Sequence, residues 1–310
     1  MSVAYIVLAH RAPDQVARLA DRLCGADDQL FLHVDRRTGA EPFAEALGAT
    51  AARDRVHWAR RRFRSRWGAF ALLDATLATV EQALQEASFS HVCLLSGDSY
   101  PLVPRATLAR FLEHAGERSF MFCSAGSDGP PPDRSANERW YWNGDLRRAT
   151  YRHYQLGARQ LHLPNRLLPG VPRLAPPPDM RLLQGSQWWT LSRRAARHVI
   201  ETFVRRPSLR RYFRRVQAPD EWAFQMVLGN SGLSATIVDD DLHFIRWRGW
   251  HAEPLGLGDL PRITASPKLF ARKLDDRDPA LADALDELIA ERAADGGATL
   301  ARLTEHHLSP

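Results

Sequence analysis

The stretch Val3-Ala4-Tyr5-Ile6-Val7-Leu8-Ala9, followed at once by His10, decides the fold. Seven apolar residues without alternation read as a strand covered on both faces, the mark of a parallel sheet between helices. Pro13 then opens a helix through Leu23, and Gly25 can close it. Leu30 to Val34 reads as a second strand, ending at Asp35. His91 to Leu95 is a third, followed by the turn Ser96-Gly97-Asp98-Ser99-Tyr100-Pro101. Between them Phe70, Leu73, Leu77, Val80 and Leu84 recur at helical spacing over residues 68–86. Pro104 starts a further helix, and Ser119 to Cys123 reads as a further strand. This alternation predicts an α/β fold of Rossmann type, its mixed, mainly parallel sheet flanked by helices. Such sheets bind ligands in the crevice at the carboxyl ends of their strands. His10, Asp35 and Asp98 each fall just past a strand, so they are expected to share one crevice.

The middle of the chain is different. Residues 126–179 are rich in Pro, Arg and aromatics and include Glu138-Arg139-Trp140 and Pro176-Pro177-Pro178. They read as a long irregular insertion, the kind of loop that is usually functional or mobile. Regular structure resumes with a strand at Gln187 to Leu191 and a helix capped by Ser192. A helix is expected to begin near Asp220, and short strands at Ile237-Val238 and Phe244 to Trp247. One domain over residues 1–276 and a helical extension over 277–310, with an amphipathic helix at Pro279 to Ala294, is the expected organisation.

Composition narrows the function. The net charge is +6 and the pI about 9.6, which suggests nucleic acid. The basic residues are scattered, however, without a zinc-finger, RRM or helix-turn-helix pattern, so no nucleic-acid partner is expected. Local runs such as Arg60-Arg61-Arg62-Phe63-Arg64 suit a small anionic ligand or peripheral contact with an anionic membrane face equally well. Cys24, Cys93 and Cys123 are odd in number and widely spaced, which fits a reduced compartment. No apolar stretch approaches the roughly 20 residues of a membrane span, and Met1 to Arg11 lacks the features of a signal peptide. A cytoplasmic location, peripheral at the inner membrane face if the basic runs dock there, is expected. Nearly every basic residue is Arg; Lys268 and Lys273 are the two lysines. Each marks a place where a compact ammonium is useful.

Transfer of a group to an alcohol with an anionic leaving group is one chemistry to test against the remaining residues; it needs a base for the hydroxyl, positive charge for the leaving group, and alignment of both reactants. Pro219-Asp220-Glu221 offers two carboxylates at an expected helix start, where the dipole favours the ionised form. A plain N-cap with a first-turn Glu is the other account of the same residues. Ser266-Pro267-Lys268-Leu269-Phe270-Ala271-Arg272-Lys273, with Arg246 and Arg248 upstream, can neutralise a diphosphate or form a solvated basic surface. Asp239-Asp240-Asp241 invites a metal reading, but it lies between two short strands, and a hairpin turn accounts for it more simply. His243 and His251 lack a partner at convincing metal-ligand spacing. Trp67-Gly68 fits core packing as well as a site.

Taken in order, these segments resemble the core-2/I-branching β-1,6-N-acetylglucosaminyltransferases, a family that includes the peptide O-xylosyltransferases. The resemblance runs through Ala4 to His10, His33-Val34-Asp35, Trp67-Gly68 and Leu95 to Leu102, then Gly185-Ser186-Gln187-Trp188-Trp189, Pro219-Asp220-Glu221 and Leu269-Phe270-Ala271-Arg272-Lys273. It implies a GT-A-like fold, a UDP-sugar donor and an inverting, metal-independent transfer of GlcNAc or xylose to a hydroxyl of a glycan, lipid-linked glycan or peptide. No cofactor is implied, since the UDP-sugar is a substrate. In this sequence the resemblance makes Glu221 the base and Lys273 one half of a basic pair on the diphosphate. The other half is an Arg for which this chain has Trp250 at the matching spacing; Arg248 is taken in its place, with Arg246 beside it. It places His10, Arg11, Asp35, Trp67, Asp98 and Arg272 toward the donor. Glu138, Arg139, Trp140, Ser186, Gln187, Trp188 and Asp220 fall toward the acceptor. A bacterial enzyme of surface-glycan synthesis is the expected context. Two alternatives stay open: a metal-dependent GT-A enzyme using Asp239 and Asp241, and an inactive UDP-sugar-binding protein.

Overall fold

The computed structural model describes residues 2–25, 27–125, 149, 152–156, 159–163, 174–248 and 251–309. Its centre is a seven-stranded sheet. The strands are β1 (Val3–Ala9), β2 (Gln29–Val34), β3 (Val56–Trp58), β4 (His91–Ser96), β6 (Ser119–Phe120), β7 (Thr190–Ser192) and β8 (Ile237–Val238), in the order β8-β6-β7-β4-β1-β2-β3. β1 runs parallel to β2 and β4, β2 to β3, and β8 to β6; β7 alone is antiparallel to its neighbours. The α/β, mainly parallel architecture is as expected. The strand placed at Gln187 to Leu191 begins only at Thr190, because Gly185 to Trp188 runs as an irregular crossing.

The uniform apolarity of β1 has the anticipated cause. Ala4, Ile6 and Leu8 pack into a core shared with α3 (Phe70–Glu86), α5 (Arg193–Arg205) and Trp189. Val3, Tyr5, Val7 and Ala9 pack on the opposite face with α1 (Pro13–Leu23), α2 (Glu41–Gly48) and α4 (Arg105–Ala115). Burying both faces leaves no polar position along the strand. Ser192 caps α5 as expected, its Oγ accepting from Ala195 N at 3.2 Å.

A second sheet joins late sequence to early. β5 (Ser99–Pro101) pairs antiparallel with β10 (Phe270–Arg272), which runs parallel to β9 (His243–Ile245). Asp239-Asp240-Asp241 is therefore not a hairpin turn. β8 before it and β9 after it belong to different sheets, and the triplet carries the chain between them. Its side chains hold that passage. Asp239 accepts from Cys123 N, Asp240 from Leu242 N and Asp241 from His243 N. Leu242 takes a left-handed φ of 60°. The expected strand at Phe244 to Trp247 is divided, with Trp247–Arg248 pairing instead with His251–Ala252.

The last two helices pack on this body. α7 (Ala280–Ala294) shares an apolar cluster with Tyr100, Leu102, Leu255 and Ile263, and its Asp286 accepts from Tyr100 Oη at 2.6 Å. Arg292 is buried, donating to Leu102 O at 2.6 Å and Thr264 O at 2.8 Å, and desolvation lowers its pKa to about 10. α8 (Ala298–Leu308) packs along α4. No described helix is long and apolar enough to cross a membrane.

Candidate active site at the strand ends

Register brings the expected residues to one rim. Leu8 aligns with Ser96 across β4, and Ala9 with Val34 across β2, so β1, β2 and β4 end level. Asp35 N donates to Ala9 O at 2.8 Å and Thr38 Oγ1 to His10 O at 3.0 Å, which ties the first two strand ends together. Between β1 and β4 a crevice is lined by Leu8 to Ala12 and Ser96 to Asp98. A wider groove between α4 and α8, lined by Arg110, His114, Leu300 and Leu308, includes none of the motif residues.

The Asp98 carboxylate is the electrostatic focus of this rim. It is buried and accepts from Ser96 Oγ and, at 3.2 Å, from Arg272 Nη2, with Arg11 Nη2 at 3.8 Å. Burial alone would raise its pKa, but Arg272, Ser96, Lys273 and Arg11 outweigh that and hold it below the ordinary 3.8. His10, at the end of β1, feels the same charges. Partial burial lowers its pKa, Arg11 and Lys273 add to the effect, and Asp98 opposes it. Lys273 is held in place through its backbone, since Leu255 N donates to Lys273 O at 2.8 Å and Leu274 N to Asp98 O at 2.9 Å.

Asp35, expected to share this crevice with His10 and Asp98, sits one strand over, on the same rim but outside the lining that β1 and β4 supply. It is 3% exposed and accepts from Ser65 N at 2.7 Å and from Arg37 Nε at 2.9 Å. Burial pushes its pKa up, and the Arg37 and Ser65 hydrogen bonds more than reverse this. Ser65 leads directly to Trp67, a residue 57% exposed, far from the buried packing that was its plain alternative.

Trp67-Gly68, Gly185-Ser186 and Pro219-Asp220-Glu221 are joined by main-chain bonds. Ala218 N donates to Gly68 O at 2.9 Å, and Gly185 N to Glu221 O at 2.9 Å. Ala218 itself has φ 47°, a left-handed value that turns the chain into the Pro-Asp-Glu segment. Gly185 is required by closeness: a Cβ there would lie 1.8 Å from Phe122 O. Asp220 and Glu221 are both buried, in a 3₁₀ turn at Pro219–Glu221 rather than in the first turn of an α-helix. The helix that follows, α6 (Ala223–Gly229), is only seven residues long, so the expected dipole argument loses most of its force. Gln225 Nε2 donates to Ser186 O at 2.8 Å, and Trp188 N to Ser186 Oγ at 3.1 Å.

Trp188 links this group to the Asp98 rim. Its ring lies under the Arg272 guanidinium, 4.2 Å from centroid to Cζ, an arrangement in which ring and cation attract. Arg272 Nε also donates to Ser96 Oγ at 3.3 Å. Ser96 and Arg37 were not singled out from sequence. A serine two residues before an aspartate in a strand–turn, and an arginine two after one, are the local patterns that would have found them.

The other expected residues are placed less centrally. Arg246 is engaged by Asp259 at 2.7 Å and Glu253 at 3.1 Å. Arg248 lies on the exposed Trp247–Arg248 ribbon, its side chain 84% accessible and 3.5 Å from Glu253. The guanidiniums that share Asp98 with Lys273 are instead Arg272 and Arg11. Gln187 is half-buried between Ser186 and Trp188. Glu138, Arg139, Trp140 and Trp250 lie outside the described residues. Lys268 proves structural: its ammonium pairs with Asp240 and lies 5.8 Å from the Phe122 ring centroid.

The chain belongs to the core-2/I-branching enzyme family, whose sequence profile matches residues 3–263. With the sheet described above, this makes the fold GT-A-like. Among curated proteins it is similar to a xylosyltransferase of Ciona intestinalis, 23% identical over 294 residues covering 88% of this chain and 32% of that protein. Xylosyltransferase 1 of Rattus norvegicus is 24% identical over 299 residues, with 88% and 33% covered. The chain thus spans about a third of the length of these relatives. Among solved structures, mouse xyloside xylosyltransferase 1 aligns with a TM-score of 0.39 at 13% identity, covering 87% of this chain and 97% of that one. S. aureus TarS 1-349 aligns at 0.37 and 11%, covering 98% and 70%.

Proposed function

We propose that this chain is an inverting glycosyltransferase that moves GlcNAc or xylose from a UDP-sugar to an acceptor hydroxyl without a divalent metal. The carrying observation is that cationic side chains from opposite ends of the sequence, Arg11, Arg272 and Lys273, gather around Asp98 at the strand ends. The main chain of Glu221 is tied to Gly185, and Trp188, three residues on from Gly185, lies under Arg272. In this reading Glu221 takes the proton of the acceptor hydroxyl, whose oxygen bonds to the anomeric carbon. The bond from that carbon to the UDP oxygen breaks on the opposite face. Lys273 and a neighbouring arginine then stabilise the charge that collects on the departing diphosphate.

Asp98 supports the reading in a second way. Three cations packed round one crevice repel one another, and one buried carboxylate offsets enough charge to hold them there without cancelling it. His10 and Asp35 line the donor side of the rim, while Ser186, Gln187 and Trp188 face the acceptor side. A surface glycan assembled inside a bacterial cell is the proposed context, in keeping with the unpaired thiols of Cys24, Cys93 and Cys123.

The test is Glu221→Gln, assayed for transfer with UDP-GlcNAc and UDP-xylose and for UDP affinity by calorimetry. Transfer should fall by roughly 100-fold or more, the usual worth of a positioned base, with UDP affinity nearly intact. Wild-type turnover in this variant would end the assignment. UDP binding without transfer in the native chain would favour the inactive binding protein.

A further inference from the structure

We infer that Asp240, His306 and His307 form a site for a divalent transition ion of the zinc class, fastening the terminal helix α8 to the passage between the two sheets. One donor atom from each residue lies within 4.8 Å of the other two. The geometry of His307 is specific. Its ring is buried, with Phe111 and Phe120 presented edge to face, and its Nε2 is 2.6 Å from Pro267 O. A carbonyl can only accept, so Nε2 carries the proton and Nδ1 keeps its lone pair. Nδ1 is the nitrogen that faces Asp240, 4.0 Å from Oδ2. Metal-bound imidazoles characteristically donate their second N–H to a carbonyl or carboxylate, which fixes the tautomer and the ring. Pro267 supplies that outer partner in advance.

His306 is the solvent-facing member. It is exposed, and its ring centroid is 4.6 Å from that of His307, so an ion can enter from its side. Two imidazoles and one carboxylate suit zinc, nickel or copper and not magnesium, which prefers oxygen donors throughout. A tetrahedral zinc with bonds of 2.0–2.1 Å sets its donors about 3.3 Å apart, so the set must close by up to about 1.5 Å, leaving a fourth position for water.

Lys268 gives the site its distinguishing property. Its ammonium pairs with Asp240 Oδ2, the oxygen nearest His307. Ammonium and metal therefore compete for one carboxylate: the lysine holds the turn when no ion is bound, and an ion must displace it. This inference is independent of the proposed reaction, since none of its residues is assigned to sugar transfer.

The experiment is calorimetric titration of chelator-treated protein with zinc chloride, for the native chain, His306→Ala and Lys268→Gln. His306 is exposed, so its replacement leaves folding intact. The native chain should bind one zinc and melt at a higher temperature with it. His306→Ala should bind roughly 100-fold more weakly, comparable to the largest losses seen when a metal site loses a supporting partner, and show no zinc-dependent rise in melting temperature. Lys268→Gln, which removes the competitor, should bind more tightly than native. Magnesium chloride should give no heat. Absence of zinc binding in the native chain, equal affinity in native and His306→Ala, or a Lys268→Gln chain that binds no more tightly would each overturn the site.

Discussion

Asp98 and Arg272 are 174 residues apart in the chain and pair at 3.2 Å. The pairing of β5 with β10 sets this contact, by placing Arg272 opposite Ser99. Arg272 then makes two kinds of contact: its nitrogens bond to Asp98 and Ser96, and its guanidinium carbon lies over the Trp188 ring. One side chain thus couples the strand-end rim around Asp98 to the segment that runs from Gly185 to Trp188.

Arg272→Ala should destabilise the chain by about 1.5–3 kcal/mol, because it removes a charged hydrogen-bond partner of the buried Asp98 carboxylate, which keeps Ser96, Arg11 and Lys273, and uncovers Trp188. Arg272→Lys should recover only part of that loss, since an ammonium cannot stack flat on Trp188 while reaching two oxygens. Urea unfolding of both variants is the check. A loss under about 1 kcal/mol for the alanine variant would mean the pair is solvated, as surface pairs are.

Lys273→Ala should weaken UDP binding while leaving stability nearly unchanged, since Lys273 is held mainly through its backbone. Transfer by the native chain should persist in EDTA at temperatures below any melting transition. Complete loss of transfer, restored by manganese, would revive a catalytic role for Asp239 and Asp241.

Gly185→Ala should cost about 1–3 kcal/mol or more, because the added Cβ meets backbone at Phe122 O, which cannot move aside as a side-chain tip can. It should also disturb Glu221, whose carbonyl accepts from Gly185 N. Gly232→Ala, where a Cβ meets nothing within 4 Å, is the control and should be close to neutral. Thermal unfolding and transfer rate of the two variants would settle the comparison.

Three buried histidines predict an acid-sensitive fold. Burial pushes His33 and His91 down to about 4 and His243 to about 3, from an ordinary 6.5. Above 6.5 these rings are neutral in both states, so nothing is lost. As pH falls from 6.5 toward 4 the unfolded chain binds protons that the native chain refuses, costing up to about 1.4 kcal/mol per unit for each histidine. Below 3.8 Asp98 adds to the loss, since its depressed native pKa favours the ionised form in the fold alone. The urea midpoint should therefore drop steeply between pH 6.5 and 4. His91→Gln can keep a bond to Arg118 O, so it should flatten that slope. An unchanged slope would refute the account.

The sequence by itself determined most strands of the central sheet, though not Val56–Trp58, together with most of the helices and the rim. Apolar runs with helical spacing between them leave few folds, and strand ends followed by His10, Asp35 and Asp98 mark a crevice edge. Such features are local, carried by residues within a few positions of one another. Tertiary structure alone decided how distant segments meet: that β10 lies on β5, that Arg272 and Arg11 rather than Arg248 surround Asp98, that Lys268 belongs to Asp240, and that Asp239 to Asp241 bridges two sheets. Strands such as Thr190–Ser192 and Phe270–Arg272 are three residues long, too short for periodicity to register. Their partners are set by burial and backbone pairing across the whole chain, which no local pattern encodes.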